Sequence, residues 1–232
     1  MRARQRLRRY HIWLGWLVGL PVLLWVVSGL VMVARPIEEV RGEGLIAKAP
    51  PLSLGAPPVP PHIGPRPVAS LTLEQRDDGA KWLVRYADGG ARLADPATGR
   101  LLPPLTAADA ARTIAARYTG TARISAVDRT SADHPPLDLR REVASWRVTM
   151  SDGTRFYLDA ATGELLARRT RFWRFYDFMW GLHIMDLTTR EDAHNPLTIG
   201  FGIFALVSTL LALILLPMTL RKRRKRPAKG GK

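Results

Sequence analysis

The chain has 232 residues, with 35 Lys and Arg against 20 Asp and Glu, a formal net charge of +15 and no cysteine. The missing thiols exclude disulfides, cysteine-ligated metals and thiol chemistry together. The basic excess does not mark a nucleic-acid partner, because the ends carry it: five Arg in residues 2–9 and eight Lys or Arg in residues 221–232 leave 22 cations against 20 acids between them.

Arg2, Arg4, Arg6, Arg8 and Arg9 precede an uncharged apolar stretch, residues 12–34; a second stretch, residues 199–220, is followed by the other basic cluster. Each is long enough to cross a bilayer as a helix, which takes ~20 residues. Short basic flanks stay on the cytoplasmic side and meet anionic lipid there. Both termini (residues 1–11 and 221–232) are therefore expected in the cytoplasm, with residues 35–198 outside the inner membrane. The first stretch exceeds the length of a secretory apolar core, and no A-x-A-like site follows Val33, so it is expected to remain as a signal anchor. Gly15 and Gly19 form G-x-x-x-G within it. That spacing serves either packing of the two spans in one chain or a homodimer, and the sequence leaves both open.

Nine prolines fall in residues 35–68, at 36, 50, 51, 57, 58, 60, 61, 65 and 67. Such a run favours extended polyproline conformations, and a spacer is expected. Residues 69–171 follow as the folded body, and they carry an internal repeat. A shift of 64 places residues 82–102 on residues 146–166 with ten of 21 positions identical, among them Trp82/Trp146, Asp88-Gly89/Asp152-Gly153 and Ala97-Thr98-Gly99/Ala161-Thr162-Gly163. Each copy predicts strand, Asp-Gly turn, strand, Asp-x-x-Thr-Gly turn and short strand. Between the copies, residues 106–118 predict a helix, with Thr106 as N-cap and Asp109 in its first turn. Residues 123–128 then predict another strand. The fold class is a membrane-anchored α+β protein, two transmembrane helices flanking a helix laid on antiparallel sheet.

The Thr106-Ala-Ala-Asp-Ala-Ala helix, the meander ending Tyr157-Leu-Asp-Ala-Ala-Thr-Gly-Glu-Leu-Leu166, and the opening Arg9-Tyr-His-Ile-Trp-Leu-Gly15 resemble a PepSY domain with PepSY-associated transmembrane helices. Phe175-Tyr-Asp-Phe-Met-Trp-Gly-Leu-His-Ile-Met-Asp186 and Asn195-Pro196-Leu197 are similar to its small two-span members. The resemblance implies tandem PepSY-like halves, the first without a full helix. It implies little about activity, because PepSY modules occur in protease propeptides, sensors and membrane reductases alike. The larger four-span relatives resemble haem-bearing ferric or siderophore reductases, a role that does not carry over intact to two spans.

Residues 172–195 combine an aromatic helix with a turn, expected to lie in the outer membrane interface; Asn195 and Pro196 then cap and open the second span, residues 196–220. His11, His183 and His194 sit at membrane boundaries, where an ionisable group calls for a functional hypothesis, and histidine is the usual axial ligand of haem b. His11 is expected ~30 Å from the other two, across the bilayer. One iron takes both His183 and His194 only if the intervening residues fold them together, and each pairs with its mate in a dimer otherwise. Asp186, three residues past His183, is expected to orient that ring. The competing expectation is that these histidines anchor helix ends. His62 and His134 are given no role. No G-x-S-x-G, H-E-x-x-H or phosphate-cradling glycine loop occurs. Two expectations result: a non-catalytic module that binds or modulates another envelope protein, or a b-type haem electron-transfer subunit serving ferric or siderophore reduction in iron uptake. Membrane lipids are expected partners in both cases.

Overall fold

The computed structural model of the chain describes residues 2–223; residues 224–232, most of the second basic tail, lie outside the described residues. In chain order come α1 (Arg2–Val33), α2 (Ile37–Val40), a 3-10 turn (Glu43–Leu45), β1 (Val68–Arg76), β2 (Gly79–Tyr86), β3 (Ala91–Ala94) and α3 (Ala107–Arg117). They are followed by β4 (Ile124–Thr130), β5 (Ser145–Met150), β6 (Arg155–Asp159), β7 (Leu165–Arg169), α4 (Arg171–His183) and α5 (Pro196–Arg223). The chain divides into two compact units, residues 36–174 and a helical unit of the remaining residues on either side.

In the helical unit, α1 and α5 are long and apolar enough to cross a membrane. α1 already begins at Arg2, because arginine is a good helix former and charge does not end a helix. It runs on through Pro21. Shielded positions recur at alternating spacings of three and four: His11, Leu14, Val18 and Pro21 on α1, Phe201, Ala205, Ser208, Ala212 and Leu215 on α5. This is the spacing of a coiled-coil-like seam, and the small residues of α5 permit close approach. Gly15 and Gly19 are not in it: a Cβ added at either meets nothing within 4 Å. Packing between the chain's own spans therefore does not use that motif. The other faces stay apolar and exposed, Trp16 at 83%, as in helices solvated by lipid.

The other unit holds two antiparallel sheets, β1-β2-β3 and β4-β5-β6-β7. The β2–β3 register pairs Trp82 with Ala94 and Leu83 with Leu93; the β5–β6 register pairs Trp146 with Leu158 and Arg147 with Tyr157. Both sets are related by the same 64-residue shift. Gly89 and Gly153 turn the hairpins at φ 84° and 80°. The Asp95 and Asp159 carboxylates accept the N–H of Ala97 and of Ala161 in the following turns. α3 opens on a capping box, in which Asp109 N–H donates to the Thr106 hydroxyl and Thr106 N–H donates to the Asp109 carboxylate. Its Ala110 and Ile114 pack on Val148, Phe156 and Leu158 of the four-stranded sheet, and this is the main core.

The proline-rich segment is not a free spacer. Val40 is 1% exposed, Ile46 joins the main core, and Ala47 N–H donates to Arg117 O. Further on, Val59 N–H donates to Pro96 O and His62 N–H to Gly99 O. The prolines have no donors, but the residues between them do, and these fasten the segment to the folded body along its length.

Candidate functional site

His183, the last residue of α4, meets one turn of α1 within the helical unit. Its ring stacks on Trp25, centroids 4.7 Å apart and planes 19° from parallel. Its Nδ1 lies 3.0 Å from Ser28 Oγ and 3.1 Å from the Trp25 carbonyl. The Ser28 hydroxyl donates to that same carbonyl at 2.9 Å, so both partners of Nδ1 are acceptors. In the neutral ring the proton therefore sits on Nδ1, which leaves the lone pair on Nε2. Gly29 completes the cradle: a Cβ there would stand 3.3 Å from His183 Cε1.

The turn after His183 explains its fixed position. Asp186 N–H donates to Gly181 O and Met185 N–H to Leu182 O, a Schellman ending in which Met185 takes the left-handed place usual for glycine, at φ 55°. Arg190 is also left-handed, at φ 58°. Each costs about 1–2 kcal/mol, so other contacts must hold the turn. The Asp186 carboxylate supplies them, accepting the Thr189 hydroxyl and the N–H groups of Thr188, Thr189, Glu191 and Asp192. The Thr189 hydroxyl, then those N–H groups, hold its carboxyl far below the usual carboxylate range. Asp177, 4% exposed, accepts from Arg190 at 2.8 Å, and Gly181 leaves the room that Arg190 needs.

Asp186 is thus not the acceptor that orients His183, as its spacing suggested; Trp25 and Ser28 fill that role. The turn brings Ile184 O within 2.8 Å of Asn195 Nδ2, so His183 and His194 flank one junction. Their surroundings differ, since His194 is exposed. His11 is 14 residues before Trp25 on α1, ~21 Å along the axis, with its Nδ1 buried and without a hydrogen-bond partner. Among the described residues, no three His, Asp or Glu side chains gather as a metal set.

The α+β unit carries a different feature, an open groove of about 690 Å3. Ile46, Leu93, Leu105 and Ile114 are among its apolar lining. Charged residues from the end of β1, from β2, from α3 and from the β6–β7 turn also line it, and two ion pairs tie these elements together: Arg85–Glu164 at 2.8 Å and Arg117–Asp77 at 3.7 Å. Burial pushes the Asp77 carboxyl up despite Arg117. Arg76 Nε, in the same wall, is buried without an acceptor.

A family model, the PepSY-associated TM region, matches residues 8–232. The chain belongs to that family. The match covers both units of this PepSY-associated membrane protein. No curated protein and no solved structure matches it. Trp25, Ser28, Gly29 and Asp177 carry no expectation from the sequence of this family member. Two signals pointed to them: a Ser-Gly pair inside an apolar span, and a lone acid within an aromatic helix.

Proposed function

We propose that the chain is an inner-membrane PepSY protein, both termini cytoplasmic, whose periplasmic body of tandem PepSY-like halves binds an envelope partner without catalysing a reaction. The groove carries this reading. An apolar floor between charge-balanced walls suits an extended polypeptide, and β1, hydrogen-bonded on one side only, offers a free edge beside it. The shared hairpin registers support the tandem halves; the basic flanks support the sidedness. A photoreactive residue replacing Arg112, in the groove wall, is expected to crosslink one envelope protein in cells, and the same residue replacing Arg129, exposed on β4, is not. Equal crosslinking from both positions, or none from Arg112, refutes the reading.

A second reading rests on the His183 tautomer. An Nδ1–H held by a carbonyl and a free Nε2 lone pair are what an axial haem ligand requires. His183 would hold a haem b as its single protein ligand, and the bound group would supply one-electron chemistry. Trp25, Ser28 and Gly29 fix the ring that would face it. A Soret band in purified protein that is lost in His183→Ala and kept in His11→Ala and His194→Ala is the expected result. A colourless preparation refutes it.

A further inference from the structure

Beside the seam of α1 with α5, the helical unit has an apolar groove of about 510 Å3, lined by Tyr10, Trp13, Leu14 and Leu17 of α1 and by Val207 and Leu211 of α5. Tyr10, Trp13 and Leu17 each stand one residue before a seam position, so they form a second stripe next to it. Continued toward the N-terminus, that stripe is basic: Arg9 is four residues before Trp13, and Arg6 four before Tyr10. We propose that stripe and groove together bind one phospholipid with an anionic headgroup, its phosphate on Arg6 and Arg9 and one acyl chain in the groove.

The two arginines are placed to meet one anion. They are three residues apart on the continuous helix α1, hence neighbours on one face, and both are exposed. Neither makes an ion pair or side-chain hydrogen bond among the described residues. No acid lies near them in the chain, since the first is Glu38. Side chains on a helix lean toward its N-terminus, which carries both guanidinium groups away from the apolar stretch and toward the headgroup level. Planar guanidinium forks there match phosphate oxygens.

The order along α1 is the order of a phospholipid. Below the cations come Tyr10 and Trp13, each with a polar tip on an apolar body, the kind of ring that favours the headgroup boundary. Leu14, Leu17, Val207 and Leu211 then offer hydrocarbon alone. Arg6 and Leu17 are ~16 Å apart along the axis, close to the ~15 Å depth of one leaflet's hydrocarbon. Lipid that merely solvates the spans requires no such stripe. Arg4 and Arg8 stand outside it, each two residues from Arg6 and so ~200° around the helix.

The test is native mass spectrometry of the full chain released from zwitterionic micelles that hold equal amounts of phosphatidylglycerol and phosphatidylcholine with matched chains. One phosphatidylglycerol retained per chain, in preference to phosphatidylcholine, is the expected result. Arg6→Gln/Arg9→Gln is expected to weaken its binding at least tenfold. Arg4→Gln/Arg8→Gln removes the same charge from outside the stripe and is expected to weaken it less than twofold. Val207→Trp, which fills the groove and leaves the arginines in place, is expected to cost at least tenfold. Equal losses in the two arginine pairs assign the lipid to diffuse basic charge and overturn the proposal. So does binding unchanged in Arg6→Gln/Arg9→Gln or in Val207→Trp, and so does equal retention of the two lipids. If Val207→Trp disturbs the spans, Leu17→Trp, at an exposed position on the facing wall, decides the same question.

Discussion

His183 lies flat on Trp25, with centroids 4.7 Å apart, and its Nδ1 faces the Trp25 carbonyl and the Ser28 hydroxyl. A single turn of α1 thus sets the ring's plane and its tautomer. Nitrogen-15 spectra of the neutral His183 ring are expected to show the proton on Nδ1 and Nε2 bare. Ser28→Ala keeps that tautomer, because the carbonyl remains, and costs about 1 kcal/mol of stability. Gly29→Val removes the tautomer preference by displacing the ring. A wild-type spectrum with the proton on Nε2 contradicts the assignment.

The Asp177–Arg190 pair is a second test of the helical unit. Its side chains are 5% and 19% exposed, so losing Asp177 leaves the Arg190 charge largely away from water. Asp177→Ala is expected to destabilise by about 3–5 kcal/mol, and Asp177→Leu/Arg190→Leu by clearly less than the sum of the single changes. Thermal melts in detergent measure both, and additive losses count against the pair.

Tyr157 gives the alkaline limit of the α+β unit. Burial, and then the Asp138 carboxylate that accepts its hydroxyl at 2.8 Å, push the phenol up to about 12. The folded value lies above the unfolded one near 10. The group's stabilisation is therefore complete below pH 10 and is lost as the pH rises through about 12. Ultraviolet titration is expected to show one of the five tyrosines ionising last, and Tyr157→Phe to flatten the loss of stability above pH 10. Five phenols titrating together near 10 contradict this.

Arg85 and Glu164 separate stability from binding at the groove. Their side chains are 49% and 44% exposed, so the pair contributes about 0–1 kcal/mol. Arg85→Glu is expected to leave the melting temperature nearly unchanged while abolishing the crosslink formed from the Arg112 position. An unaffected crosslink removes Arg85 from the binding surface.

The features legible in the sequence are local ones. Asp88-Gly89 and Asp152-Gly153 name their own turns, Thr106 and Asp109 their own cap, Asn195-Pro196 the start of α5, and apolar length alone the two spans. What the sequence hid depends on distant partners. Ile46 lies in the proline-rich stretch, and only a body formed by later residues supplies the core that it joins. Asp186 stands one helical turn past His183 in sequence, yet the left-handed Met185 swings it away from the ring and into its own turn. Gly15 and Gly19 carry a packing motif, but the larger Leu14 and Val18 take the seam with α5.

The proposed function depends most on which side of the membrane the α+β body occupies, and the absence of cysteine makes this directly measurable. Single substitutions His134→Cys, in the exposed β4–β5 loop, and Gln5→Cys, in the basic N-terminal segment, each give one unique thiol for a membrane-impermeant maleimide. With the outer membrane permeabilised and the inner membrane intact, labelling is predicted at position 134 and, at position 5, only after the inner membrane is lysed. Protection of position 134 until lysis, with position 5 labelled from outside, contradicts the account.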